Sequence, residues 1–211
     1  MKNIVFNLFC AFLLYNGSLF CQTGIHEHDG LFLRMLLGAG YAELIEKNVM
    51  GSDLKFSGTT VPLRFQLGGE FLKNLIAYGE FGFASQTNPE MEWPGHSGST
   101  SDVSVSVGDL GIGITYYLMP VNIYFSLSAL YSSVQLEYND TKSESEIEFD
   151  NINGINVMVG KEWWIGAQWA LGVTLYGYYS DMNVQATIEG INYEYFTRNY
   201  SIGVMFSATY N

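Results

Sequence analysis

The segment Lys161–Tyr179, KEWWIGAQWALGVTLYGYY, contains three of the four tryptophans in the chain and decides the predicted fold. From Trp169 onward, apolar residues recur at every second position, and small or polar residues such as Gly172 and Thr174 stand between them. A period of two places one set of side chains on each face of a β-strand. The residues before Trp164 alternate in the same way, so the segment predicts two antiparallel strands joined by a tight link, WIGA.

The same alternation continues along the chain after Gly30. Eight segments show it, and they begin near residues 31, 61, 75, 110, 123, 155, 169 and 202. In each segment one parity is apolar, and the other is rich in glycine, serine, threonine and charged residues. A soluble sheet rarely keeps one face this apolar in every strand, whereas a transmembrane barrel must present an apolar face to lipid. The pattern therefore predicts an all-β chain, folded as an eight-stranded antiparallel up-and-down transmembrane β-barrel.

The links between the predicted strands alternate in length. Short links lie at Leu72–Asn74, Met119–Val121 and Trp164–Ala167, and long links lie at Glu43–Ser57, Thr87–Asp102, Asn139–Asp150 and Met182–Thr197. Transmembrane barrels have tight periplasmic turns and longer external loops, so both chain ends are expected in the periplasm. Because the long links carry most of the acidic residues, the external loops are predicted to be strongly negative.

Two interruptions of the alternation predict local irregularities. Val103, Val105 and Val107 lie on the opposite parity to the apolar residues from Leu110 onward, which predicts a bulge or twist near Gly108. The parity of the apolar residues changes a second time between residues 131 and 134, which predicts a second irregularity there.

The amino-acid composition agrees with a membrane barrel, and the net charge argues against a nucleic-acid partner. Charged residues make up only 14% of the 211 residues and aromatic residues 16%, whereas soluble domains usually carry about 25% charged residues. No segment after the N-terminal region supplies the run of about 18 apolar residues that a spanning helix needs. The net charge of −12 argues against a nucleic-acid partner, because phosphate binding needs a cationic face.

The first residues have the layout of a secretory signal. Lys2 precedes a short apolar run, Ile4–Tyr15, and small or polar residues follow it. We predict a signal peptide over residues 1–23, a periplasmic lead-in over 24–29 and the outer-membrane barrel over 30–211. Lipidation at Cys21 is an alternative form of processing. Since Cys10 and Cys21 are the only cysteines, the mature chain is predicted to have no disulfide.

With this layout of signal, eight amphipathic strands, tight turns and long polar loops, the sequence resembles the small outer-membrane β-barrels of the OmpA and OmpW type. The resemblance covers nearly everything after residue 29, and it rests on pattern and architecture. It implies a position in the outer membrane of a bacterium with a two-membrane envelope, with both termini periplasmic. Members of that group usually end on an aromatic residue, whereas here Asn211 follows Tyr210.

The inward parity predicts a polar network in the lumen. Its members are Arg34, Arg64, Gln66, Glu70, Glu80, Asp109 and Glu162. An eight-stranded barrel is about wide enough for its own side chains to fill, so two arginines among the acids favour internal ion pairs that plug the lumen, with a narrow polar conduit as the alternative. A girdle at the lipid boundary is predicted from Tyr116, Phe125, Trp163, Trp164, Trp169 and Tyr210.

These features predict a structural or surface-interaction protein with acidic external loops. The expected partners are outer-membrane lipid and lipopolysaccharide, and extracellular ligands at the loops; we expect a monomer. The alternative is a small channel or transporter for ions or, as the OmpW-like resemblance implies, small hydrophobic compounds. The inward parity, composed of glycine, serine, threonine and charge, speaks against a hydrophobic passage. A secreted, lipocalin-like ligand-binding barrel is the distant alternative.

Neither catalysis nor metal binding has strong support in the sequence. His96, Ser97 and Asp102 imitate the residue types of a hydrolytic site, but they lie in a stretch rich in glycine and serine that is typical of a flexible loop. The segment His26–Gly30 combines histidines with acids but has no second cluster to complete a metal site. We expect no enzyme activity, no metal and no cofactor.

Overall fold

The computed structural model of the chain describes residues 30–49, 52–101, 103–138, 141–143, 153–188 and 191–211. The predicted signal peptide and lead-in lie outside these ranges. No helix within them is long and apolar enough to cross a membrane. The described residues form the strands β1 (Leu31–Val49), β2 (Ser52–Leu72), β3 (Leu75–Thr87), β4 (Glu90–Trp93), β5 (His96–Ser99), β6 (Val103–Leu118), β7 (Ile123–Tyr138), β8 (Thr141–Ser143), β9 (Gly154–Trp164), β10 (Trp169–Ile188) and β11 (Ile191–Tyr210).

Eight of these strands close into a ring. The order around it is β1, β2, β3, β6, β7, β9, β10 and β11, and β1 pairs with both β2 and β11. Every neighbouring pair is antiparallel. The predicted eight-stranded up-and-down barrel is therefore confirmed. Closure pairs the backbone groups of each ring strand on both sides, as a hydrocarbon environment requires.

The two ends of the barrel differ. At one end, which we call the turn end, tight turns at residues 73–74, 119–122 and 165–168 join consecutive strands. At the other, which we call the hairpin end, β1–β2 and β10–β11 continue as long hairpins of up to 21 residues per strand. Two of the stretches predicted as long loops are thus mostly strand. The ladder satisfies backbone N–H and C=O groups that a loop would have to leave to water.

The predicted long link Thr87–Asp102 is also partly strand. Strands β4 and β5 form a hairpin in it, and β4 pairs with β2 beyond the end of β3, with Ser57 opposite Glu90. Most of the acidic link Asn139–Asp150 lies outside the described residues, apart from β8, which pairs with β7.

The faces of the barrel follow the predicted parity. The outer face is apolar, and Ile112 and Phe206 are 68% and 71% exposed. The inner face carries the buried polar and charged side chains, among which Arg34 is fully buried. This arrangement is the reverse of the one that a soluble lipocalin-like barrel would need, because such a barrel keeps its apolar face inside.

The predicted irregularities near Gly108 and between residues 131 and 134 are wrong. Strand β6 pairs without a break with β3 and β7 across Gly108, and β7 keeps its register against β6 through Tyr131 and Val134. Val103, Val105 and Val107 are buried inside the barrel. The apolar residues change parity because the interior itself becomes apolar towards the hairpin end. Register shifts occur instead between Glu46 and Val49 and between Glu70 and Leu72.

Candidate functional site

The interior of the barrel is layered along its axis. Nearest the turn end, Phe32, Ile76, Tyr117 and Tyr124 are buried against one another. Tyr117 and Tyr124 are tilted rings with centroids 5.6 Å apart. We call this layer the aromatic floor, and the first ion pair lies against it.

Arg34 lies directly over the aromatic floor. Its guanidinium carbon is 3.8 Å from the centre of the Tyr124 ring and 4.8 Å from that of Phe32. Its Nε lies 3.2 Å from a carboxylate oxygen of Glu162, and both side chains are fully buried. Such stacking suits arginine, whose planar cation is weakly hydrated.

The same ion pair is held by hydroxyl groups from three further strands. Tyr117 donates to Oε2 of Glu162 at 2.9 Å and accepts from Arg34, and Thr209 donates to Oε1 of Glu162 at 2.6 Å. Arg34 also donates to Ser126 at 3.4 Å. A buried ion pair is tolerated when further hydrogen bonds satisfy its remaining lone pairs and protons, and this one meets that condition.

A second cluster surrounds Arg64, closer to the hairpin end. Its guanidinium forms ion pairs with Glu80 at 2.5 Å and with Asp109 at 3.0 Å. Ser128 and Asn156 donate to Glu80, at 2.6 and 3.1 Å. All five side chains are buried.

Tyr178 completes this second cluster. Its hydroxyl lies 2.8 Å from Oδ1 of Asp109, to which it donates, and 2.8 Å from the hydroxyl of Ser132. The Arg64 guanidinium carbon lies 5.2 Å from the centre of the Tyr178 ring. Within the described part of the chain, Arg64 Nε and Asn156 Oδ1 make no hydrogen bond.

Gln66 joins the two clusters. Its side-chain oxygen accepts from Arg34 at 3.2 Å, and its nitrogen donates to Glu80 at 2.9 Å. A continuous chain of polar contacts therefore runs from Glu162 through Arg34, Gln66 and Glu80 to Arg64 and Asp109.

The structure brings together six of the seven predicted lumen residues in this chain of contacts. Glu70 is the exception, because it lies half-buried at the turn end, where its carboxylate accepts from the backbone N–H of Asn74 at 2.8 Å. The tyrosines at 117, 124 and 178 were missed by sequence reasoning. The available signal was their position on the polar parity. For Tyr124 the neighbouring strand also offers Gly160, where a Cβ would collide with the tyrosine ring.

A partly enclosed cavity lies on the hairpin-end side of Arg64. Arg64, Asp109 and Tyr178 form its inner end. Its walls combine apolar and polar side chains, among them Ala84, Val105, Val107, Thr60, Gln86, Asn199 and Ser201. Beyond it, Leu44, Phe56 and Val103 form a buried apolar cluster with Val105. This half of the lumen therefore holds an apolar cluster that the sequence pattern did not predict, beside buried polar side chains such as Thr60, Gln86 and Asn199.

The aromatic residues predicted for the girdle occur close to the turn end. Tyr116, Phe125 and Trp169 are exposed on the outer face, and Trp163, Trp164 and Tyr210 are partly exposed. Trp169 packs edge-on against Tyr210, with ring centres 5.3 Å apart. Nearby, the Lys161 ammonium donates to the carbonyl of Val121 in the adjacent turn.

The hairpin β4–β5 carries exposed polar groups. Glu90, Glu92, His96 and Ser97 are all exposed there; Asp102 lies outside the described residues. Among the residues that the structure describes, no group of three or more histidine, cysteine, aspartate or glutamate side chains is placed to hold a metal ion.

Comparison with known proteins identifies the fold. No protein-family model and no curated protein matches the sequence. The crystal structure of the outer membrane protein OprG from Pseudomonas aeruginosa aligns with 89% of this chain and 100% of its own, at 11% identity and a TM-score of 0.54. The chain has the fold of a small outer-membrane β-barrel.

Two further solved structures align with this small barrel. The outer membrane protein AlkL, determined in lipid bilayers, covers 92% of this chain and 95% of its own at 10% identity, with a TM-score of 0.49. Neisserial surface protein A covers 84% of this chain and 98% of its own at 13% identity, with a TM-score of 0.46. At these identities the similarity is one of fold alone.

Proposed function

We propose that the chain is an integral protein of the bacterial outer membrane, with its turn end in the periplasm and its hairpin end outside the cell. The outward apolar face supports this placement, because those side chains would otherwise be exposed to water. The expected partners are therefore outer-membrane lipid and lipopolysaccharide. Trp163 and Trp169 near the turn end support an interface with headgroups at that level.

Within this membrane setting, we propose a structural or surface-interaction role in which the lumen is closed. The observation that carries this proposal is the buried chain of contacts from Glu162 to Asp109, together with the aromatic floor beneath it. Ions would have to displace desolvated, mutually paired charges in order to pass. In this proposal, the hairpin end makes the contacts with other molecules, because Glu90 and Glu92 are exposed there.

Conductance of the refolded protein in planar bilayers tests the closed lumen. We expect no discrete channel events from the natural sequence. A triple variant, Arg34→Ala, Arg64→Ala and Tyr117→Ala, removes both buried guanidinium groups and part of the aromatic floor. It is expected to conduct, which shows that the assay can detect an open barrel. Leu171→Ala, on the outer face, is the matched control and is expected to be silent. Discrete events from the natural sequence that change with Arg34→Ala would overturn the closed-lumen proposal.

A second candidate function is a route for small compounds, and the cavity above Arg64 favours it. Its lining combines apolar side chains such as Val105 and Val107 with polar ones such as Thr60 and Asn199, so a partly open path leads from the hairpin end to the ion pairs. A complete passage would require Arg34 and Glu162 to separate. Conductance or solute uptake by the natural sequence would favour this candidate.

A further inference from the structure

Two cationic side chains are neighbours on the outer face of the barrel, close to the hairpin end. In the ladder between β1 and β11, Arg198 pairs with Ile45. Lys47 pairs with Phe196, two residues further along each strand. Lys47 and Arg198 are therefore diagonal neighbours, and both lie on the outward parity of their strands. Long side chains at diagonal positions can reach one another, so one ligand can contact both cations.

These two cations are not neutralised by ion pairs. Within the described part of the chain, neither Lys47 nor Arg198 forms one. Asp181 lies opposite Arg198 on β10, but its carboxylate accepts a hydrogen bond from the hydroxyl of Tyr179 at 3.0 Å. Even when Asp181 is counted, the two cations leave one formal positive charge. The buried Nε of Arg198 has no hydrogen-bond partner, which indicates that an acceptor is missing from this site.

The third cation at this level, Lys55, differs because acids already surround it. Its ammonium nitrogen lies 3.1 Å from a carboxylate oxygen of Glu43 and 3.8 Å from one of Glu92. Glu43 is the other diagonal neighbour of Arg198 on β1. Because Glu43 pairs with Lys55, it leaves Arg198 available for a ligand.

The two free cations lie where the apolar outer face ends. Along β11 towards the hairpin end, the outward residues change from apolar to aromatic to cationic, in the order Phe206, Val204, Ile202, Tyr200 and Arg198. Tyr200 packs against Tyr179 of the neighbouring strand, with ring centres 5.1 Å apart. Tyrosine rings favour the headgroup level of a membrane. Arg198 and Lys47 are therefore at the level where lipid phosphates are expected.

We propose that Lys47 and Arg198 bind a phosphate group of lipopolysaccharide, with its acyl chains against Ile202 and Phe206. Arginine binds phosphate through its planar fork and lysine binds it as a point charge. A free phosphate ion would contact only the cations, whereas a phosphorylated lipid also contacts the apolar face that continues below them. The choice of lipopolysaccharide rests on the proposed placement of the hairpin end outside the cell, since this lipid occupies the outer leaflet.

Binding of lipid A, the phosphorylated anchor of lipopolysaccharide, to the refolded protein tests the proposal. Native mass spectrometry from detergent micelles containing EDTA compares lipid A with lipid A from which both phosphates have been removed. We expect the phosphorylated form to bind about tenfold more tightly, and an excess of inorganic phosphate at constant ionic strength to leave it bound. Equal binding of the two lipids would overturn the phosphate assignment. Displacement by inorganic phosphate would overturn the assignment to a lipid.

Phosphatidylglycerol in the same assay distinguishes lipopolysaccharide from phospholipid. It presents one phosphate on two acyl chains, which cover less of the apolar outer face than the larger number of chains on lipid A. We therefore expect it to bind more weakly than lipid A. Equal or tighter binding of phosphatidylglycerol would overturn the assignment to lipopolysaccharide.

Substitutions locate the binding on the barrel. Lys47→Gln with Arg198→Gln removes both charges, and we expect it to weaken binding of lipid A about tenfold and to leave binding of the dephosphorylated lipid unchanged. Lys55→Gln is the matched control, because it removes a cation at the same level that is already paired. This control is expected to stay within about twofold of the natural sequence. Equal losses in the two variants would overturn the assignment to Lys47 and Arg198.

The comparison of lipids on the natural sequence needs no variant, so it decides the proposal even if the double variant does not fold. Heat-modifiable migration on gels establishes whether each variant is folded. Failure of lipid A binding would leave the other proposals intact. The closed lumen is judged by conductance, and the orientation in the membrane is judged by labelling of single cysteines in cells.

Discussion

At the scale of single residues, the largest change in the free energy of unfolding is expected at the ion pair Arg34–Glu162. Glu162→Gln removes the charge that balances a fully buried guanidinium, and an unbalanced buried charge costs about 3–5 kcal/mol. We expect a loss of that size in the free energy of unfolding, measured by urea titration in phospholipid vesicles. Glu90→Gln, which changes an exposed acid, is expected to stay within about 0.5 kcal/mol of the natural sequence.

A companion double variant tests whether the unbalanced charge of Arg34 causes this loss. Arg34→Met with Glu162→Gln removes both charges, and we expect it to be more stable than Glu162→Gln alone, because no charge is then left without a partner. A loss below about 1 kcal/mol in Glu162→Gln would contradict the prediction. It would mean that the hydrogen bonds from Arg34 to the hydroxyls of Tyr117 and Thr209 are sufficient to stabilise the buried guanidinium.

Glu46 gives a pH dependence at the hairpin end, beyond the apolar outer band. It faces inward and is only 7% exposed, and burial raises its pKa above the ordinary value of about 4.5. The folded state therefore binds this proton more tightly than the unfolded state does. The resulting stabilisation is complete below the unfolded pKa and is lost as the pH rises through the folded pKa.

Hydrogen exchange of the β1–β2 hairpin measures this effect. After correction for intrinsic rates, protection of the hairpin is expected to be greater at about pH 4 than at about pH 7. Glu46→Gln should remove this part of the pH dependence and raise protection at neutral pH. Glu90→Gln serves as the control and should keep the natural profile. An unchanged profile in Glu46→Gln would exclude Glu46 as its source.

At the scale of strands, alternation predicted the facing of the side chains but not their partners. The parity of β1 and β9 places Arg34 and Glu162 inside the barrel, yet these strands are not neighbours, since β10 and β11 lie between them. The two side chains meet across the lumen, and that meeting depends on the register of every intervening strand. A sequence pattern of period two contains no information on register between distant strands.

The same limit explains the wrong prediction for β6. An apolar residue on the inward parity looks like a change of phase if the interior is assumed to be polar everywhere. In the structure, Val103 and Val105 pack against Leu44 and Phe56. These residues belong to three strands, and their joint burial follows from the extension of the strands towards the hairpin end.

Inward glycines provide a test of how the strands make room for buried rings. Gly113 on β6 is paired with Tyr78 on β3, and a Cβ at Gly113 would lie 2.6 Å from the tyrosine ring. Tyr78 is buried and its hydroxyl is hydrogen-bonded to Ser128 at 2.9 Å, so the ring has little freedom to move. We expect Gly113→Ala to lower the free energy of unfolding by about 1–3 kcal/mol.

Gly177→Ala is the matched control for this effect. A Cβ at Gly177 meets nothing within 4 Å, and alanine costs less backbone entropy than glycine within a strand. The control is therefore expected to be neutral or slightly stabilising in the same urea titration. Equal losses in the two variants would show that backbone propensity, not the Tyr78 ring, sets the cost.

At the scale of the whole molecule, closure and the apolar outer face fix the fold, while orientation in the membrane is a separate question. The proposed orientation places the turn end in the periplasm and the β4–β5 hairpin at the cell surface. Single cysteines at the two ends can decide it. Both natural cysteines, Cys10 and Cys21, precede residue 23, so the predicted mature chain offers a background without thiols.

Ser97→Cys lies on the exposed strand β5 at the hairpin end, and Gln168→Cys lies on an exposed turn at the opposite end. In intact cells, a membrane-impermeant maleimide is expected to label Ser97→Cys and to leave Gln168→Cys unmodified, whereas both should react after lysis. The reaction of Gln168→Cys after lysis shows that its thiol is accessible, so its protection in cells can be assigned to the membrane. Labelling of Gln168→Cys alone in intact cells would reverse the orientation, and it would transfer the proposed surface contacts to the turn end.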